Sequence, residues 1–313
     1  MEKRKLGKSG IEASIIGLGC NNFGAMPVEA SRRVVDKAIE LGITLFDTAD
    51  VYGNRGGSES QLGEILGSRR KDIVLATKFA MPMDEAGTKS GASAAYIREA
   101  CEASLKRLKT DWIDLYQQHR PDPKTPIEET LRALDDLVKA GRVRAIGCSN
   151  MPAAELAAAH ETSRKQGLAA YVTAQDEYSL LVRGVEAALV PTLEREGMGL
   201  LPYFPLASGL LTGKYEQGKD IPAGTRYARM GRFGERYMTD ENWRIVAGLT
   251  AFAKSKGHSL LELAFAWLVA HPLLTSVIAG ATRPEQVEQN VKAATWKLSA
   301  ADVAEVDRLT AKS

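Results

Sequence analysis

Short apolar runs alternate along this chain with longer segments whose apolar residues recur at helical spacing. The runs occupy 15–18, 43–46, 73–76, 112–116, 143–147, 171–174, 198–202 and 275–278, an alternation that predicts βα units around a parallel sheet. Between them, Ser31 stands as a helix cap ahead of Val34, Val35, Ala38, Ile39 and Leu41, with Gly42 as the stop. Thr125 and Pro126 open a second helix as cap and first-turn proline. Glu128 supplies first-turn charge, Leu131, Leu134, Leu137 and Val138 an apolar face, and Gly141 the end. Segments 93–108, 152–165, 185–196, 260–271 and 284–294 read as helices in the same way, and 58–66 as a shorter one. The spacing is close to the ~30 residues of a βαβ repeat, apart from a long excursion between the seventh and eighth runs. Eight such units predict an α/β fold, a (β/α)8 TIM barrel. Periodicity does not itself report closure, so an open doubly wound sheet is the alternative. Outside the repeat, 3–6 and 11–14 flank Gly7-Lys8-Ser9-Gly10 as an N-terminal β-hairpin. Residues 204–240 form a long loop after strand 7 with the character of a functional lid, followed by an extra helix at 241–256.

Composition narrows the function classes. With 313 residues, 44% hydrophobic and 26% charged, the chain has ordinary globular values and is read as one domain over 1–313. Lys and Arg number 41 against 39 Asp and Glu, and a net charge of +2 offers no broad field for nucleic acid or an acidic membrane. The basic N-terminus lacks an apolar h-region, and no stretch approaches the ~18 apolar residues of a membrane span, so a cytoplasmic protein is expected. Cys20, Cys101 and Cys148 are odd in number and widely spaced, which disfavours a disulfide framework or a thiolate zinc site. Cys20 and Cys148 read as packing residues. His160, His258 and His271 show no metal spacing, and no metal site is expected.

The chemistry of a parallel barrel sits at the C-terminal ends of its strands. Reading just past each run gives Asp47, Lys78, His119, Ser149 with Asn150, Gln175 and Tyr203. Singly each has a structural reading: Asp47 as a turn cap, Lys78 as a lysine reaching out from a strand end, His119 as a hydrogen-bonded loop histidine. Jointly, and with Tyr52 in the loop after Asp47, they make a complete proton-transfer set. A tyrosine, with an ordinary pKa of ~10, is a poor acid at neutral pH, and a nearby ammonium favours its phenolate. Asp47 pairs with Lys78 to compensate the buried cation, and His119 holds the reacting oxygen. The set suits protonation of an alkoxide formed when hydride reaches a carbonyl carbon. Gly17, Gly19 and Gly24 miss the G-x-G-x-x-G spacing of a Rossmann fingerprint. Gly19 instead lets backbone approach the site.

Five stretches together resemble the aldo-keto reductase superfamily: Asp47-Thr48-Ala49-Asp50-Val51-Tyr52-Gly53, Lys78, Gln118-His119, the run from Gly141 to Asn150, and the run from Tyr203 to Gly213. They resemble in particular the branch of microbial reductases that also looks like the potassium channel β subunits. The resemblance implies a (β/α)8 barrel that binds a nicotinamide cofactor without a Rossmann domain, with Asp47, Tyr52, Lys78 and His119 as catalytic tetrad and Tyr52 as proton donor. It implies that Ser149, Asn150 and Gln175 hold the carboxamide and that Tyr203 stacks on the nicotinamide. Pro205, Leu206 and Ser208 would cradle the pyrophosphate, and Lys214 and Arg226 would clamp it. Gly280, Thr282, Arg283, Gln286, Gln289 and Asn290 match the adenosine-phosphate segment. Some members carry a lysine where Gly280 stands, an arginine at Gln286 and a glutamate at Gln289. Their absence argues against strict NADPH selectivity, while Thr282, Arg283 and Lys214 offer substitutes for holding a 2′-phosphate, so the expectation is NADP(H) preferred, with NAD(H) possible, and a small carbonyl compound as substrate. Two rivals are a nicotinamide-binding regulatory subunit and a metal-dependent barrel hydrolase or lyase, the latter lacking a second histidine or a carboxylate cluster at the strand ends. Substrate identity and oligomeric state stay open. Trp243 and Trp267 fit helix faces, and 85–90 is either part of the substrate mouth or a solvated loop.

Overall fold

Eight parallel strands form the centre of the computed structural model, which describes residues 1–221 and 236–311. In chain order, a β1–β2 hairpin (Lys3–Lys5, Glu12–Ser14) precedes β3 (Ile16–Gly19), β4 (Leu45–Asp47), β5 (Val74–Phe79), β6 (Ile113–Gln118), β7 (Val143–Ser149), β8 (Thr173–Gln175), β9 (Gly199–Leu200) and β10 (Val277–Gly280). The sheet runs β10-β3-β4-β5-β6-β7-β8-β9, and β9 and β10 meet through short bridges rather than a ladder. Leu200 N donates to Leu273 O at 2.9 Å, Thr275 N to Leu200 O at 2.9 Å, and Ile278 N to Pro202 O at 2.8 Å. Those bonds close the (β/α)8 barrel and dispose of the open-sheet alternative.

Around the barrel lie α1 (Val28–Glu40), α2 (Tyr52–Leu66), α3 (Ala94–Leu108), α4 (Ile127–Lys139), α5 (Ala153–Gln166), α6 (Leu189–Glu196), α7 (Asp240–Ser255), α8 (Leu260–Ala270), α9 (Pro284–Ala293) and α10 (Ala300–Thr310). Two capping expectations change. Ser31 lies inside α1, its Oγ donating to Gln61 Oε1 at 2.8 Å, while Pro27 takes the cap position. Pro126, with ψ 135°, is itself the residue before α4, and Thr125 Oγ1 donates instead to Asp122 Oδ2 at 2.7 Å. In both cases a longer-range or loop acceptor outcompetes the helix end for the hydroxyl. The 185–196 segment splits into a 3-10 turn (Gly184–Glu186) and α6.

The apolar residues divide into two clusters. The larger fills the space between strands and helices. The smaller is the lumen, where Leu45, Val74, Ala76, Leu115, Ala145, Leu201 and Ile278 meet Leu6, Ile11 and Ala13 of the hairpin. Gly7, at φ +50°, seats that hairpin: a Cβ there would lie 2.2 Å from Val172 O, so backbone packs on backbone. The hairpin thus stoppers the N-terminal mouth and leaves the C-terminal face for chemistry. Among the described residues no helix is long and apolar enough to cross a membrane.

Candidate active site

Strand alternation builds the site. Leu45, Val74, Ala76 and Leu115 point into the lumen, so the inward positions two residues further along β4, β5 and β6 are Asp47, Lys78 and Gln117. The register sets Lys78 beside Gln117, and Ser149 beside Gln175. A polar layer therefore caps the apolar lumen.

Within it, Lys78 Nζ donates to Asp47 Oδ2 at 2.7 Å and to Thr48 O at 2.9 Å. Asp47 Oδ1 accepts from Gln117 Nε2 at 3.1 Å and from Gln175 Nε2 at 2.9 Å. Both carboxylate oxygens are thus occupied in a layer where Lys78 is 0% exposed and Asp47 3%. Burial alone would push the Lys78 ammonium down, but Asp47 and Tyr52 outweigh it and raise its pKa. Lys78 remains a cation. Gln117 is a member that reading past the apolar runs did not find, although counting by two from Leu115 reaches it.

Tyr52 begins α2, and its direction is set by the turn immediately after it. Gly53, Asn54, Arg55 and Gly56 all have positive φ, a left-handed turn inside the helix. A Cβ on Gly53 would stand 2.5 Å from Phe23 O, so the turn presses against the loop after β3. The Tyr52 hydroxyl comes to 3.5 Å from His119 Nε2, the rings edge to face, while Lys78 Nζ lies 5.0 Å from the Tyr52 ring centre. The structure therefore brings Asp47, Tyr52, Lys78, His119 and Gln175 into one contiguous group.

The electrostatics differ in one respect from expectation. Burial pushes the Tyr52 phenol up. Lys78 pulls it down as anticipated, yet does not win, and the net shift is upward. His119 is pushed down to about 3, by burial first and then by Lys78 and Arg120. It is a neutral imidazole at physiological pH, and its buried Nδ1 has no partner among the described residues.

The other expected residues lie on the same face. Ser149 Oγ donates to Gln175 O at 2.8 Å, Asn150 Nδ2 to Ser149 Oγ at 2.9 Å, and the Tyr203 hydroxyl to Asn150 Oδ1 at 2.7 Å. Pro205 and Leu206 lead into a turn in which Ala207, Ser208 and Gly209 have positive φ, with the Ser208 Oγ buried and without a partner among the described residues. Lys214 Nζ lies 5.1 Å from the Tyr215 ring centre, and Arg226 lies outside the described residues. The register Gly280–Gly19 and Gly19–Asp47 ties the last strand to the polar layer through one intervening strand. Past Gly280, Gln286 Oε1 accepts from Thr282 N at 2.7 Å, Thr282 Oγ1 at 3.1 Å and Arg283 N at 3.2 Å. Arg283 and Gln289 are exposed, and Asn290 is buried. This forms a nook at the N-terminus of α9, where a helix favours negative charge. Among the described residues no three His, Cys, Asp or Glu side chains could share a metal ion.

Comparison with known proteins places nearly the whole chain in a family. The family model described as "Aldo/keto reductase family" matches residues 15–311. A probable voltage-gated potassium channel subunit beta of Arabidopsis thaliana is 37% identical over 301 residues, covering 94% of this chain and 91% of that protein. An uncharacterized oxidoreductase of Bacillus subtilis is 36% identical over 304 residues, covering 94% and 91%. The L-glyceraldehyde 3-phosphate reductase of Escherichia coli K12 is 34% identical over 321 residues, covering 98% and 92%. The chain belongs to the aldo/keto reductase family, whose members are oxidoreductases that act on small carbonyl substrates with a nicotinamide cofactor.

Proposed function

We propose that this oxidoreductase reduces an aldehyde or ketone to an alcohol, prefers NADPH while accepting NADH, and uses Tyr52 as its proton donor. One observation carries the reading: the Tyr52 hydroxyl lies 3.5 Å from a neutral His119 and beside a Lys78 whose charge Asp47 holds in place. The cofactor reading draws support from the unpartnered Ser208 Oγ, the Tyr203–Asn150–Ser149 chain and the nook before α9, which suit a pyrophosphate, a carboxamide and an adenosine phosphate in turn. Bound dihydronicotinamide supplies hydride to the carbonyl carbon.

This chain's residues do the rest. His119, uncharged, shares with Tyr52 the position of the reacting oxygen without offering it a competing acidic proton. Lys78 stabilises the Tyr52 phenolate as the proton leaves, and Asp47 keeps Lys78 charged although it is buried. Arg283 and Thr282 stand ready for a 2′-phosphate. Replacing Tyr52 by Phe should lower kcat at least about 10²-fold across a panel of carbonyl compounds, glyceraldehyde 3-phosphate included, while NADPH binding followed by fluorescence stays nearly intact. Wild-type turnover in that variant would sink the mechanism.

The potassium channel β-subunit relatives favour a second reading, a nicotinamide-binding regulatory subunit. Oxidation of bound NADPH by 4-nitrobenzaldehyde separates the two, because a sensor stops after one turnover.

A further inference from the structure

Asp50 follows Asp47 by three residues and is 1% exposed, yet neither of its carboxylate oxygens has a hydrogen-bond partner among the described residues. The cations that bear on it are committed elsewhere. Arg107 donates to Glu59 Oε2 at 2.6 Å and to Ser104 Oγ at 3.2 Å, and Lys78 donates to Asp47 and Thr48. Glu59 is likewise taken, accepting from Thr77 Oγ1 at 2.6 Å and from Arg107. The Val51 N–H pulls on the carboxyl without reaching bonding geometry. Two further buried hydroxyls in its electrostatic reach, of Tyr96 on α3 and Tyr116 on β6, also have no partner among the described residues. An ionised carboxylate in this position would be a buried charge with no hydrogen-bonded counter-charge, whereas a neutral carboxylic acid is tolerated there.

We propose that Asp50, two residues before Tyr52 and tied by its backbone N–H to Lys78 O at 3.1 Å, is a neutral carboxylic acid in the working protein and that its ionisation weakens Tyr52 as an acid. This rests on the reading of Tyr52 as proton donor. Asp50 touches no reacting atom; it is a positioning residue for charge. The groups around the pair are Asp47 and Glu59, both engaged, the cations Lys78 and Arg107, and the neutral phenols Tyr96 and Tyr116. Burial, with Glu59 adding to it, pushes the Asp50 carboxyl up to about 8. Above that pH a new negative charge behind Tyr52 disfavours the phenolate and slows proton donation.

Two measurements decide the matter. In the infrared difference between wild type and Asp50→Asn, recorded on the whole protein without substrate at pH 6.5, a protonated-carboxyl C=O stretch should remain; the subtraction removes the band of Asp176, whose buried carboxyl is also pushed up, to about 7. A difference spectrum with no such band overturns the proposal whatever Tyr52 does. In the pH profile, the ratio of kcat at pH 6.5 to kcat at pH 9 should fall at least about threefold in Asp50→Asn, since that side chain never ionises. An unchanged ratio, or collapse of activity at both pH values in a folded variant, overturns it too. Failure of the Tyr52 reading registers separately, as turnover retained by Tyr52→Phe.

Discussion

The two sides of the β4–α2 connection carry the same side chain in opposite circumstances. On the lumen side, Asp47 accepts from an ammonium and two amides, so its charge is shared out among fixed donors. Three positions on, Asp50 is as deeply buried, and neither of its oxygens has a donor in bonding geometry among the described residues. Burial by itself does not decide whether a carboxyl ionises. The donors within reach decide it, and here three residues of chain separate a site built around charge from one built to exclude it.

The strongest way to break this contrast is to strip the lumen side of its cation. Lys78→Met should reduce kcat by about 10²–10⁴-fold, measured with an aromatic aldehyde and NADPH, because Tyr52 loses the charge that stabilises its phenolate. The converse change, Asp47→Asn, leaves Lys78 buried without a counter-charge. It should lower folding stability by about 3–5 kcal/mol in urea unfolding.

Asp50→Asn should act with the other sign. The unfolded Asp50 carboxyl ionises near its ordinary 3.8 and the folded one near about 8, so between those values the native state holds a proton that the unfolded state has released. Wild-type stability therefore falls as pH rises through this window, by up to about 1.4 kcal/mol per pH unit from this group, and levels above it. Asp50→Asn lacks that slope. Its Tm relative to wild type should climb from pH 4 to pH 8, and a flat difference would place Asp50 on the same footing as Asp47. The smallest effect belongs to the exposed rim. Arg283→Ala should raise KM for NADPH by about fivefold with NADH little affected, the ~1 kcal/mol of a solvent-screened ion pair.

The strand ends were readable because a parallel barrel puts its chemistry at one end of every strand, so Asp47, Lys78 and His119 could be found by counting past apolar runs. Gln117 was equally within reach by alternation but carries no distinctive chemistry to draw notice. Ser31 and Thr125 misled because a capping hydroxyl and a hydroxyl bonded to Gln61 or Asp122 look alike in one dimension. The left-handed turn that aims Tyr52 uses Gly53, Asn54 and Gly56, residues that tolerate positive φ, yet also holds Arg55 there, which no local propensity announces.

Along the chain alone, periodicity determined the repeated units, and residue type determined which groups can carry protons. Those properties reside in single residues and their spacing. Closure through the Leu200 and Ile278 bonds, the upward shift of Tyr52 and the contrast between Asp47 and Asp50 were decided only when distant segments packed together. A pKa and a hydrogen bond both depend on what else occupies the few ångströms around an atom, and folding is what fills that space.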